Sequence, residues 1–157
     1  MAQNALDYEA IRNTVALYCI ALDTKDFSLF QDVFASTLDA RYPFGGAFDD
    51  RDALANAIRK RLEPVTTQHA LTTQSITIDE GASSASATTY FTGIHLGQGR
   101  WKGQIVTAYG RYDDRLECSP GSSKVVPGAT GQWLITKRKV TFMGRVGEEG
   151  VMKGERE

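Results

Sequence analysis

The feature that most constrains this chain is the disappearance of helical periodicity after Thr66. Four stretches follow one another, "TTQHALTTQSITI", "SSASATTYFTGIHLG", "GQIVTAYGRYDDRLE" and "GQWLITKRKVTFMG", each rich in Thr, Val, Ile and aromatic residues. That composition suits strands, and the breaks between them ("DEG", "GQGRWKG", "CSPGSSKVVPGATG") carry turn and loop chemistry. Parallel strands would need crossover helices between them, and nothing here reads as one, so four long antiparallel strands are expected.

The N-terminal part has the opposite character. Asp7 is positioned to cap a helix whose apolar positions Ile11, Val15, Tyr18 and Leu22 recur every three to four residues. A second short helix is expected after Asp26, with Leu29, Phe30, Val33 and Phe34 inward. "LDARYPFGG" reads as a short strand stopped by Pro43 and the Gly45–Gly46 pair. A third helix begins near Asp50, carries Leu54, Ala55, Ile58 and Leu62 on one stripe, and ends at Pro64. Helices followed by a long antiparallel sheet make an α+β domain. If the sheet is strongly curved, it wraps around the N-terminal helices and leaves a conical cavity.

With 157 residues, the chain is expected to form a single domain over 1–157. The charged, Gly-rich segment 144–157 is expected to be a flexible tail. Hydrophobic residues make up 41% and charged residues 24%, the balance of a globular protein. A formal net charge of −1 offers no basic field for nucleic acid. No apolar run approaches the ~20 residues of a membrane span, and "MAQNALDYEA" does not read as a signal peptide. Cys19 and Cys118 lack CxxC spacing and are expected to stay reduced, which fits a cytoplasmic protein.

Residues able to do chemistry are few. Asp23, in "ALDTKDFSLF", directly follows an apolar helical stretch, and a carboxylate there is either a helix-end residue or a group facing a pocket. His69 and His95 are the only histidines, both in expected strands. Tyr42, Tyr90, Tyr109 and Tyr112 lie in or beside strands. No nucleophile elbow, phosphate-binding loop or nucleotide fingerprint is present. An H-x-D/E opening for an iron triad is also missing, because Ala70 and Leu71 follow His69. No cofactor and no metal are expected.

"ALDTKDFSLFQDVFASTLDARYPFG" resembles the entry segment of the SnoaL-like branch of the nuclear-transport-factor-two-like superfamily, and within it the fungal scytalone dehydratases. The shared features are D-x-K-D-aromatic after the first helix, then A-x-T-L-x-x-x-Y into the first strand. "TTQHALTT" resembles the T-Q-H segment of those enzymes, and "AYGRYDDRLE" with "GQWLITKRKV" resembles the family's last hairpin. The resemblance covers nearly the whole chain and implies a cystatin-like α+β barrel. It places the catalytic aspartate on Asp23, the first histidine on His69 and a substrate-polarising tyrosine on Tyr42. The second histidine falls on His95, with a gap in the spacing. Leu22 stands where the dehydratases have tyrosine, and Gly110 and Tyr112 stand where they have small polar residues.

Those residues support proton transfer without a cofactor. An aspartate beside a histidine fixes its tautomer and stabilises its charged form, so the ring can act as general base or acid. Tyr42 can donate to a carbonyl as an enolate develops. The expected function is therefore a lyase, isomerase or cyclase acting on a polyketide-like intermediate of secondary metabolism. Tyr18, Phe44, Tyr90, Tyr112 and Tyr109 are candidates for holding a hydrophobic or aromatic substrate. Strand alternation separates Gly110 and Tyr112 from Tyr109 and Arg111, and the resemblance, through its G-x-Y pattern, implies that Gly110 and Tyr112 face inward unless a bulge reverses it; alternation likewise turns Arg41 away if Tyr42 faces the cavity. Two other readings stay open: a non-catalytic ligand-binding or assembly domain, and an epoxide hydrolase or steroid-type isomerase with a different acid/base set. An open sheet face of this length predicts a homodimer or homotrimer.

Overall fold

The computed structural model describes residues 2–120 and 126–155; part of the loop before the last strand and the final two residues lie outside the described residues. Helix α1 spans Ala2–Thr24 and is followed by a 3-10 turn at Phe27–Asp32. Strands β1 (Phe34–Tyr42) and β2 (Gly46–Asp50) lead into helix α2 (Arg51–Leu62). The long strands β3 (Val65–Ile78), β4 (Ser84–Gly97), β5 (Ile105–Pro120) and β6 (Gly131–Gly147) complete one six-stranded sheet. Its order is β2-β1-β6-β5-β4-β3, curved and not closed, with β2 and β3 at the edges.

The four long strands pair antiparallel, as their succession without crossover helices predicted, while β1 joins β6 in parallel. Register shifts at Leu71/Gln74, Tyr109/Gly110 and Arg115/Leu116 interrupt the ladders. Bulges of this kind bend strands and increase their twist, which lets the sheet wrap around α1. Strand β2 was not expected. It is five residues long, mostly exposed and without apolar alternation, so no sequence periodicity marks it. It forms because Gly45 and Gly46 adopt φ of 72° and 80°, turning the chain back so that Gly46 pairs with Tyr42.

Helix α2 matches its sequence signals. Asp50 caps it by accepting from the Ala53 N–H at 2.8 Å, and Leu54, Ala55, Ile58 and Leu62 are its buried face. The short helix after Asp26 is a 3-10 turn, capped by Asp26 and burying Phe27 and Phe30. Asp7 is a correction. Helix α1 begins before it, so Asp7 is fully buried inside the helix and not at its cap. Its carboxylate accepts from the Thr130 N–H (2.8 Å), the Thr130 hydroxyl (2.6 Å) and the Trp133 indole N–H (3.1 Å), anchoring α1 to the start of β6.

The described part of 144–157 also differs from the flexible tail expected of it. Residues 144–147 belong to β6, and a 3-10 turn at Glu149–Lys153 buries Val151 completely. The Trp101 indole N–H donates to the Gly154 carbonyl at 2.8 Å, and Arg145 forms a two-point pair with Glu149. Local charge and glycine content gave no sign of the Trp101 contact, which comes from a turn 53 positions away.

Candidate active site

Asp23 directly follows the last buried residues of α1, Ala21 and Leu22, where the helix ends against β3. Lys25 fixes that end. It adopts a left-handed φ of 60°, and its ammonium donates to the carbonyls of Leu62 and, at 2.8 Å, Val65. The bond to Leu62 satisfies a carbonyl that the end of α2 leaves without a helical partner. The chain is thereby pinned between α1, α2 and β3, with Asp23 against the inner start of β3.

There the carboxylate collects three donors. Asp23 Oδ2 accepts the backbone N–H of His69 at 2.9 Å, while Oδ1 accepts from the Thr67 hydroxyl at 2.8 Å and meets His69 Nδ1 at 2.7 Å. Thr67 and His69 share one face of β3 by strand alternation, which explains why both reach the same carboxylate. Partial burial pushes the Asp23 carboxyl up, but the bonds from the His69 ring, its backbone N–H and Thr67 outweigh it and hold the group below its ordinary value. A carboxylate can only accept, so His69 Nδ1 carries the hydrogen and Nε2 is left for a ligand. The His69 side chain is only 6% exposed.

His95 stands beside it, ring centroids 5.9 Å apart and nearly perpendicular. Its Nδ1 lies 3.1 Å from the Val106 carbonyl, which again puts the hydrogen on Nδ1. Burial, then the neighbouring His69, pushes the His95 ring down to about 4. The shift favours the uncharged ring at neutral pH, with Nε2 then the acceptor.

Both rings line a cavity of about 40 Å³ between the helices and the concave face of the sheet. Tyr18, Tyr42, Phe44 and Tyr112 also line it. The hydroxyls of Tyr18 and Tyr42 are 3.0 Å apart, and burial raises both phenols above their ordinary value, so they are neutral. Asp23 supports the wall from behind His69. Tyr90 and Tyr109 are corrections: they are 38% and 44% exposed on the outside of the sheet. Phe91, Gly93 and His95 take the inward positions of β4, which turns Tyr90 out. On β5, Ala108, Gly110 and Tyr112 face in despite the bulge, the phase that the G-x-Y resemblance implied, and Arg41 points outward beside Asp39. Gly110 makes room for the Phe91 ring, because a Cβ there would lie 2.7 Å from Phe91 Cζ.

Sequence reasoning missed several site residues. Phe91 stacks on Tyr112 with centroids 4.4 Å apart, and Phe142 closes another wall. Arg61 of α2 and Arg145 of β6 bring two guanidinium groups to the cavity. Beneath it, the fully buried Arg138 pairs with Asp114 through two N–H···O bonds of 2.7 and 2.8 Å, and its guanidinium lies between the rings of Tyr18 and Tyr112. Burial opposes the charge on Arg138, but Asp114 outweighs it and holds Arg138 protonated. Asp114 shares the inward phase of Tyr112 and Leu116, a signal that could have found it. Among the described residues, no group of three or more His, Cys, Asp or Glu side chains is placed to hold a metal ion. Cys19 and Cys118 are free thiols. Among the described residues, no helix is long and apolar enough to cross a membrane.

The sequence profile of the SnoaL-like domain matches residues 3–139. No curated protein matches the chain in sequence. Among solved structures, the Kfla4162 protein from Kribbella flavida superposes with a TM-score of 0.75 at 17% identity, covering 93% of this chain and 95% of that one. A protein from Novosphingobium aromaticivorans, provisionally named a scytalone dehydratase, gives 0.76 at 17% identity over 94% and 91%. A hexachlorocyclohexane dehydrochlorinase, LinA type 2, gives 0.76 at 12% identity over 95% and 93%. At these identities the structural likeness concerns the fold.

Proposed function

The chain belongs to the SnoaL-like domain family, and from that premise we propose that it is a cofactor-independent acid–base enzyme, a lyase or isomerase/cyclase. The observation that carries this reading is the Asp23–His69 pair: a carboxylate 2.7 Å from Nδ1 of a histidine whose ring lines a cavity walled largely by aromatic and aliphatic side chains.

His69 Nε2 takes a proton from a carbon beside a substrate carbonyl. The imidazolium that forms is stabilised by Asp23 through the Nδ1–H bond, and the C–H electron pair moves toward the carbonyl oxygen as an enolate. Tyr42, a neutral phenol, donates to that oxygen. In a dehydration the imidazolium returns its proton to a departing β-hydroxyl, releasing water and restoring neutral His69. In an isomerisation it returns the proton to carbon. His95 accepts a hydrogen bond from the substrate or its leaving hydroxyl, and Tyr18, Phe44 and Tyr112 hold the apolar body. A polyketide-like natural-product intermediate suits such a site. Positioned proton transfer of this kind contributes about 10²–10⁴-fold.

The test is solvent-deuterium exchange at the acidic C–H of one- and two-ring β-hydroxyketones, followed by NMR. Exchange by the wild-type protein above buffer, abolished in a folded His69→Gln variant, is the expected result. Wild-type exchange no faster than buffer, or unchanged exchange in His69→Gln, would overturn the proposal. One observation favours a second reading. A cavity of about 40 Å³ has room for only a few water molecules while Phe91 and Tyr112 stay stacked. A protein that neither binds these ketones nor exchanges their protons, but self-associates, would be the non-catalytic assembly domain.

Self-association as a homodimer or homotrimer is part of the same proposal. Tyr90, Leu96, Ile105, Tyr109, Met143 and Val146 expose apolar surface on β4, β5 and β6, which supports it. Light scattering on the eluting protein distinguishes these states from a monomer.

A further inference from the structure

The two guanidinium groups of the cavity have no role in the proton chemistry. Arg145 engages Glu149 through Nε (2.7 Å) and Nη2 (3.0 Å). That geometry leaves Nη1 on the other side of the planar group, buried and without a hydrogen-bond partner. A buried donor left unmatched is costly, so Nη1 is a group that a ligand's acceptor atom would satisfy. Arg61 approaches from α2, its guanidinium carbon 4.0 Å over the centre of the Phe44 ring. Stacked there, it keeps its N–H edge for a partner in its own plane, and no hydrogen bond or ion pair is made by it among the described residues.

Charge accounting at the cavity leads to the same place. Asp23 is committed to His69 and Thr67, and Lys25 to the carbonyls of Leu62 and Val65. His95 is neutral. Glu149 faces two arginines and its side chain is 60% exposed. One guanidinium charge is therefore left without a matching carboxylate, along a wall otherwise made of Phe44 and Phe142.

We propose that Arg61 and Arg145 form an anion-binding subsite of this cavity, and that the ligand it takes is a small apolar or aromatic molecule carrying a carboxylate. The arginines bind and orient the carboxylate while the rings of Phe44 and Phe142 cover the body beside it. This deepens the acid–base reading and rests on it for the claim that the ligand is also the substrate. A carboxylate held at one end fixes which carbon faces His69.

The test uses benzoate as probe and benzamide as its uncharged counterpart, titrated separately into the full-length protein and followed by NMR or calorimetry. Charge-assisted hydrogen bonds contribute about 1.5–3 kcal/mol, so benzoate should bind roughly tenfold or more tightly than benzamide. Arg61→Gln and Arg145→Gln should each remove most of that preference, Arg61→Lys should retain part of it, and Arg41→Gln, on the outer face beside Asp39, should leave it intact. Circular dichroism establishes that each variant is folded. Equal binding of the two probes by wild type, no benzoate binding, or a preference that survives both glutamine substitutions would overturn the subsite. The two proposals fail separately. A benzoate preference without carbon-bound proton exchange upholds the subsite and overturns the enzyme reading; exchange without the preference does the reverse.

Discussion

Gly93 on β4 lies directly opposite His69 on β3, and a Cβ at Gly93 would approach the His69 ring to 3.1 Å at both Cδ2 and Nε2. The same atom would be 3.5 Å from His95 Cε1. Glycine therefore leaves the gap across which the two imidazoles face each other. Contacts near 3.1 Å force the neighbour to give by a few tenths of an ångström. Gly93→Ala should displace the His69 ring while leaving Asp23 in place. The expected result is a fall in proton-exchange rate of about tenfold or more with little change in melting temperature, since small misplacements of catalytic groups are costly. Histidine ring shifts in the NMR spectrum would report the displacement directly.

Asp23→Asn tests the other side of the same ring. An amide can still accept from one neighbour, but it cannot stabilise an imidazolium as a carboxylate does. Exchange activity should fall about 10²–10⁴-fold, with a melting temperature near that of wild type. Activity within a factor of a few of wild type would show that His69 does not depend on Asp23.

Protonation of His95 should be visible in stability. Its folded-state value of about 4 lies below the ordinary 6.5. The unfolded chain therefore binds more protons between those pH values, and stability falls as pH drops from about 6.5 toward 4. At about 1.36 kcal/mol per pH unit the loss attributable to this residue is roughly 3 kcal/mol. Urea titrations at pH 7, 5.5 and 4.5 should show the decline in wild type and a much flatter profile in His95→Gln. Asp23, held below its ordinary value, adds its own loss only at more acidic pH.

Arg138 and Asp114 are each buried to a side-chain exposure of 0%. Asp114→Ala would leave a guanidinium charge in the core, at a cost of about 3–5 kcal/mol. Adding Arg138→Met to that variant removes the unpaired charge and should restore a large part of the loss. Urea denaturation of the single and double variants measures both steps, and a double variant no more stable than the single would refute the pairing account.

The sequence alone determined the order and type of most elements. Apolar stripes at helical spacing placed α1 and α2, Asp50 marked the start of α2, and runs rich in Thr, Val and aromatics placed β3 to β6, because these signals are local. Strand alternation also separated Tyr112 from Tyr109. Asp23 and His69 could be named as a pair from their resemblance to a family, but 46 positions separate them, and only the packing of α1 against β3 brings the carboxylate to the ring. Asp7 shows the same limit, since its partners lie in the approach to β6. Arg138 was hidden for a different reason. The ladder pairs Leu116 with Ile135 but Arg115 with Lys137, so the bulge shifts the inward phase from Trp133 and Ile135 to Arg138 and Val140. Within "TKRKV" nothing distinguishes the buried arginine from its exposed neighbours. Register, bulges and the meeting of Arg61 with Arg145 depend on residues far apart in the chain, and those are what the tertiary structure decided.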